Sequence, residues 1–137
     1  MQMEKSKIIT GYIMNNILLI DDDNKFRTLF KRLIERKFMI KVTEAEDGKK
    51  GLELLEKIKP NLVFLDIDMP NINGFDFLKQ IHEAKNNIPV VIITSHNEKD
   101  FVEKIIAYNI AGYLLKTGYT SLLADHVEKI LQRFEQN

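Results

Sequence analysis

Three consecutive aspartates, Asp21, Asp22 and Asp23, close one short apolar run of this 137-residue chain, and Asp66 closes another. Thr94 stands at the end of a third run and Lys116 at the end of a fourth. If the strands that end in Asp21 and Asp66 are neighbours, Asp21, Asp22 and Asp66 converge. Two unit charges about 4 Å apart repel by roughly 4 kcal/mol at an effective dielectric near 20. Such a cluster either raises a pKa or binds a cation. Hard oxygen donors, with no cysteine in the chain and no clustered histidine, suit Mg²⁺, with Mn²⁺ or Ca²⁺ as substitutes. A carboxylate can attack phosphorus and give an aspartyl phosphate. Lys116 offers a mobile point charge and Thr94 a hydroxyl for the charge that spreads over the phosphoryl oxygens. The plainer role of acids at a helix start is capping, and it is assigned here to Asp23.

These residues need elements that bring them to one edge. The apolar runs at residues 17–20, 62–65, 90–93 and 113–115 are short, continuous and rich in β-branched or aromatic residues, the pattern of strands buried on both faces. A weaker, more alternating run at residues 39–45 suits an edge strand. Between them Phe26, Leu29, Phe30, Leu33 and Ile34 recur at helical spacing, and so do Leu52, Leu55 and Ile58. Phe75, Leu78 and Ile81 mark a third helix, Phe101, Ile105 and Ile106 a fourth, and residues 122–134 a fifth. Pro60 closes the second helix, Gly74 opens the third, and Ser95 or Asn97 is placed to cap the fourth. Strands alternating with helices predict a parallel sheet covered on both faces. Such a sheet binds ligands at the carboxyl ends of its strands, where strand order reverses.

Composition sets the outer limits. Hydrophobic residues make up 45% and charged residues 29%, which fits one folded domain rather than a disordered tail. Lys+Arg and Asp+Glu are equal at 20 each, so no basic excess points to nucleic acid as a partner of this segment. Without cysteine there is no disulfide framework and no thiolate chemistry. No apolar run approaches a bilayer span, so no membrane partner is expected and the expected location is cytoplasmic. Residues 1–14 read as an N-terminal extension, with Met14 as an alternative start, and residues 15–137 as a single domain.

The strings "NILLIDDDNKFR", "KPNLVFLDIDMPNINGFDFLKQI", "IPVVIITSHNEKD" and "AGYLLKTGY" are similar to the consecutive signatures of bacterial response-regulator receiver domains, including the chemotaxis-regulator type. The resemblance covers about residues 15–135. It implies a flavodoxin-like, doubly wound five-stranded parallel sheet in the order 2-1-3-4-5. It also implies phosphotransfer from a histidine kinase or a histidine phosphotransfer protein. By motif position Asp66 matches the phosphoacceptor, and Asp21 and Asp22 match the acidic pair. The backbone carbonyl of Asp68 matches a further Mg²⁺ ligand. Thr94 and Lys116 match the family's hydroxyl and lysine, and Tyr113 its aromatic switch residue. The Asp68 side chain and His96 fall where the family tunes loss of the phosphoryl group. One departure is Thr117, where the family usually has proline. A cis bond before a non-proline residue costs about 2.5–4 kcal/mol, so a trans Lys116–Thr117 bond is expected.

The expected function is a phosphorylation-dependent switch of a two-component system rather than a turnover enzyme. Its output would be a changed surface on the fourth helix, fifth strand and fifth helix, read by a downstream protein or a second copy. Two alternatives are a receiver fragment of a DNA-binding regulator and a phospho-independent interaction module. Asp66-Ile67-Asp68 resembles the opening of haloacid-dehalogenase phosphatases, but Pro70 stands where those have Thr or Val. Pro70 also argues against an EF-hand loop. Lys116-Thr117-Gly118 resembles a β-lactamase string, without the Ser-x-x-Lys that accompanies it.

Overall fold

The apolar runs pair side by side in the computed structural model, which describes residues 8–9, 12–69, 73–84, 86–116 and 119–135. The element order is β1 Ile8–Ile9, β2 Tyr12–Ile13, β3 Asn16–Ile20, α1 Asn24–Phe38, β4 Lys41–Ala45, α2 Gly48–Ile58, β5 Leu62–Asp66, α3 Gly74–Glu83, β6 Val90–Thr94, α4 Lys99–Ile106, β7 Gly112–Leu115 and α5 Thr120–Glu135. The strands β3 to β7 form a parallel sheet in the order β4-β3-β5-β6-β7. Counted along this sheet alone the order is 2-1-3-4-5, the predicted flavodoxin-like topology. Every residue of β5 and β6 is buried, which is why those runs are continuous rather than alternating.

The helices start and stop on local signals. Asp23 caps α1 by accepting the N–H groups of Lys25 and Phe26 at 3.0 and 3.2 Å. The helix ends where Met39 turns left-handed at φ 58°. Asp47 caps α2 through Lys50 N–H at 2.8 Å, and Asn73 caps α3 through Asp76 N–H at 3.0 Å. For α4 the expectation fails. Glu98, itself in an extended conformation, is the N-cap residue, so Ser95 and Asn97 lie before the helix, and no side-chain hydrogen bond caps it.

Two hydrophobic layers sandwich the sheet. On one face α1 and α5 pack Phe30, Ile34, Leu123 and Val127 against Ile17, Leu19 and Phe64. Phe30 meets Phe64 edge-on at 4.9 Å. On the other face α2, α3 and α4 pack Leu55, Phe77 and Ile105 against Leu18, Ile20 and Leu65. Gly51 lets α2 come close, because a Cβ there would meet Ile20 Cδ1 at 2.5 Å. Within the segment read as an extension, β1 and β2 form an antiparallel hairpin, β1 lies near α5, and Met14 is fully buried in the α1–α5 layer.

The sheet edge at β4 is closed by side chains of α1. Lys41 N–H and Ala45 C=O point inward to Asn15 and Asp21, so the Val42 backbone groups point outward. Glu35 accepts the Val42 N–H at 3.0 Å and Lys31 donates to the Val42 carbonyl at 3.1 Å. An i,i+4 ion pair of 3.8 Å links Lys31 and Glu35.

Candidate functional site

Strand order reverses between β3 and β5, and the polar residues gather at that point. Asp66 is the last residue of β5 and Thr94 the last of β6, while Asp21 and Lys116 directly follow β3 and β7. Asp21 and Thr94 are fully buried and Asp66 is 3% exposed, whereas Asp22 is exposed. The neighbouring β3 and β5 bring carboxylate oxygens of Asp21, Asp22 and Asp66 within 4.8 Å of one another. The convergence predicted from the strand ends is therefore present.

Backbone amides and one lysine hold the carboxylates in place. Asp21 Oδ1 accepts the Asp23 N–H at 2.8 Å, and Asp66 Oδ1 accepts the Asp68 N–H at 3.1 Å. The Lys116 ammonium lies 2.9 Å from Asp21 Oδ2 and 3.6 Å from Asp66 Oδ2. Its position is set by the Lys116 N–H bonding Thr94 O at 2.8 Å and by the Phe26 ring 4.8 Å below the ammonium. Asp21 Oδ2 is buried, and the Lys116 ammonium 2.9 Å away compensates its charge.

Burial, followed by the charge of Asp21, pushes the Asp66 carboxyl up to about 7 against the opposing pull of the Asp68 N–H and Lys116. For Lys116 burial acts to lower the pKa, but contact with Asp21 and the charges of Asp21, Asp66 and Asp23 outweigh it, and the net direction is upward. One ammonium against three carboxylates leaves a negative surplus made only of oxygen donors. That donor set fits a hard divalent cation such as Mg²⁺.

The rim differs from the interior. The Thr94 hydroxyl accepts the His96 N–H at 3.0 Å. His96 Nε2 is 3.0 Å from the exposed Asp68 carboxylate, its Nδ1 is 3.6 Å from Glu98, and its ring lies 4.6 Å from Phe101. Tyr113 is on β7, 37% exposed, in register with Ile92 rather than turned into the site. Gly74 keeps the turn after β5 tight, since a Cβ there would meet Ile67 Cα at 2.5 Å. Pro70, Thr117 and the Lys116–Thr117 bond lie outside the described residues.

Sequence reasoning missed two contributors. Phe26 was read only as a core position, yet it also supports Lys116. Arg27 donates to the Asp21 carbonyl at 2.6 Å, and its Nε meets Glu44 at 3.1 Å. The helical pattern could have identified Phe26 as inward-facing. Nothing in the residue type or spacing of Arg27 distinguishes it from any other helical arginine.

The family model for the response regulator receiver domain matches residues 17–128. The chain is 30% identical over 118 residues to the transcriptional regulatory protein DegU of Brevibacillus brevis, covering 85% of this chain and 50% of that protein. It is 38% identical over 101 residues to the nitrate/nitrite response regulator protein NarL of Escherichia coli, covering 73% and 47%. It is 27% identical over 119 residues to the chemotaxis protein CheY of Pseudomonas aeruginosa, covering 85% and 96%. The chain spans about half the length of the transcriptional relatives. Among solved structures, the receiver domain of AraT, a response regulator from Geobacillus stearothermophilus, superposes with a TM-score of 0.75 at 29% identity, covering 90% of this chain and 97% of that one. A sheet of this order, an acidic cluster at its switch point and a family match over most of its length together place the chain in the response regulator receiver domain family.

Proposed function

We propose that Asp66 is the phosphoacceptor of a switch whose Mg²⁺ is held by Asp21, Asp22, Asp66 and the backbone carbonyl of Asp68. The observation that carries this reading is the nearly buried Asp66 with two carboxylates within 4.8 Å and Lys116 at 3.6 Å. A carboxylate oxygen of Asp66 forms a bond to phosphorus. The N–P bond of a phosphohistidine on the kinase or phosphotransfer protein breaks, and its electron pair returns to the imidazole nitrogen. Bound Mg²⁺ supplies charge neutralisation for the carboxylates and the phosphoryl oxygens. Lys116 turns its ammonium from Asp21 and Asp66 toward a phosphoryl oxygen, and the Thr94 hydroxyl, whose oxygen accepts the His96 N–H, donates its O–H to another phosphoryl oxygen.

The phosphoryl group adds about 1.5–2 negative charges at pH 7. Drawing Thr94 inward vacates space that Tyr113 can enter, which changes the surface of α4, β7 and α5. A downstream protein or a second copy of the chain reads that surface, in the cytoplasm and without this segment binding nucleic acid. His96 and the Asp68 carboxylate span the rim at 3.0 Å and shield Asp66 from attacking water. The chain thus stores a signal rather than turning over a substrate.

Acetyl phosphate with Mg²⁺ is expected to add one phosphoryl group to the wild-type chain and none to Asp66→Ala, as read by intact mass. Equal labelling of both proteins would remove Asp66 from this role. In the same assay His96→Ala is expected to shorten the lifetime of the phosphorylated chain several-fold; an unchanged lifetime would discard the shielding role. A second reading, the receiver part of a DNA-binding regulator, draws support from the relatives described as transcriptional regulators. The complete reading frame tests it, because an encoded DNA-binding domain is then required.

A further inference from the structure

The turn between β3 and α1 carries Asp21 and Asp22, and its backbone is gripped from two sides. The Asp21 N–H donates to Ala45 O at 3.1 Å, and the Asp21 carbonyl accepts from Arg27 Nη1 at 2.6 Å. Arg27 has two further anchors. Its Nε meets Glu44 Oε1 at 3.1 Å and its Nη2 donates to Asn24 Oδ1 at 2.9 Å. The side chain is only 12% exposed. One planar guanidinium therefore ties together the turn, the edge strand β4 and the first turn of α1. Lys31, 3.9 Å from the other Glu44 oxygen, steadies that anchor in turn.

The carbonyl that Arg27 holds belongs to the peptide unit joining Asp21 to Asp22. Fixing that oxygen fixes the rotation of the peptide plane, and with it the directions in which the two carboxylates leave the backbone. Asp21 has other restraints, but among the described residues no side-chain hydrogen bond or ion pair aims the exposed Asp22. A lysine in the same place would keep the charge but could not direct donors along three fixed lines.

We infer that Arg27 is a positioning residue that sets the Asp21–Asp22 peptide for divalent-cation binding, with Glu44 and Asn24 as its anchors. This rests on the reading of Asp21 and Asp22 as metal-holding residues.

The test uses the full chain. Mg²⁺ affinity is measured by calorimetry, acetyl phosphate labelling is followed at limiting and saturating Mg²⁺, and backbone amide resonances are recorded without metal. Arg27→Lys is expected to weaken Mg²⁺ binding about tenfold, the scale of one lost charge-assisted hydrogen bond. The Asp22 and Asp23 amide resonances shift, and labelling recovers at saturating Mg²⁺. Glu44→Gln keeps an acceptor for Arg27 and loses less affinity. Lys50→Met, which removes only an exposed pair with Glu53, leaves affinity at the wild-type value. Unchanged Mg²⁺ affinity in Arg27→Lys overturns the inference, whether or not its melting temperature falls. A labelling defect that persists at saturating Mg²⁺ with normal affinity overturns it as well. A wild-type chain that binds no Mg²⁺ overturns the switch reading itself, so the wild-type measurement separates the two failures.

Discussion

Asp66 is nearly buried beside Asp21 and Asp22, and burial together with the charge of Asp21 opposes its ionisation. Its carboxyl titrates near 3.8 in an unperturbed chain and at about 7 in the folded, metal-free protein. Between those values the folded state holds a proton that the unfolded state has released. Stability is therefore greatest below about pH 4 on this account and falls as pH rises to about 7. Asp66→Asn removes the dependence. In EDTA at pH 8 it is expected to be more stable than the wild type by about 2–4 kcal/mol, with the difference vanishing near pH 4. Urea denaturation across that range measures it, and a constant difference at every pH would contradict the assigned cause. Saturating Mg²⁺ narrows the gap, because the ion compensates the charge that burial disfavours.

Among the elements, α1 does more than cover one face of the sheet. Its first turn is capped by Asp23, beside the acidic pair, and its outer side closes the β4 edge through Lys31 and Glu35. An open edge strand invites pairing with another chain, and charged side chains are a common defence. Glu35→Ala leaves the outward Val42 N–H without its acceptor and breaks the Lys31 pair. The expected cost is about 0.5–1.5 kcal/mol, with a rise in concentration-dependent self-association. Urea midpoints and light scattering at several concentrations measure the two effects. Loss of stability without added association would mean that the bond matters locally but does not guard the edge.

At the scale of the whole molecule, two apolar layers hold a single sheet, and the site sits where their polar ends meet. The layer formed by α1 and α5 reaches back to Met14, which is fully buried with Ile17 and Phe30. Met14→Ala is expected to cost about 2–4 kcal/mol through lost burial and the cavity left behind. A thermal or urea melt with an unchanged denaturant slope would show it. A cost below about 0.5 kcal/mol would mean that the domain begins after Met14 and that this residue only rests on the core.

Much of this molecule was legible in the amino-acid order. Continuous apolar runs at β3, β5 and β6 reveal strands buried on both faces, because a side chain of either parity must then be apolar. A polar residue that ends such a run has to sit at a strand terminus, so Asp21, Asp66 and Thr94 were identifiable as one edge from the sequence, whereas the run before Lys116 is a half-exposed edge strand, not one buried on both faces as its continuous apolar pattern suggests. The Asp23 cap was equally local. What lay beyond the sequence was each contact that joins residues far apart in the chain. Whether Lys116 reaches Asp21, whether Arg27 holds the Asp21 carbonyl, and whether His96 meets Asp68 depend on strand order, side-chain reach and the path of the intervening backbone. The late start of α4 depends on the path of the backbone up to Glu98, the N-cap residue, although Ser95 and Asn97 had the right chemistry to cap it. Residue type alone thus located the acidic centre, because burial imposes a pattern along the chain. Only the tertiary structure assigned its supports, because a hydrogen bond between distant elements leaves no periodicity to read.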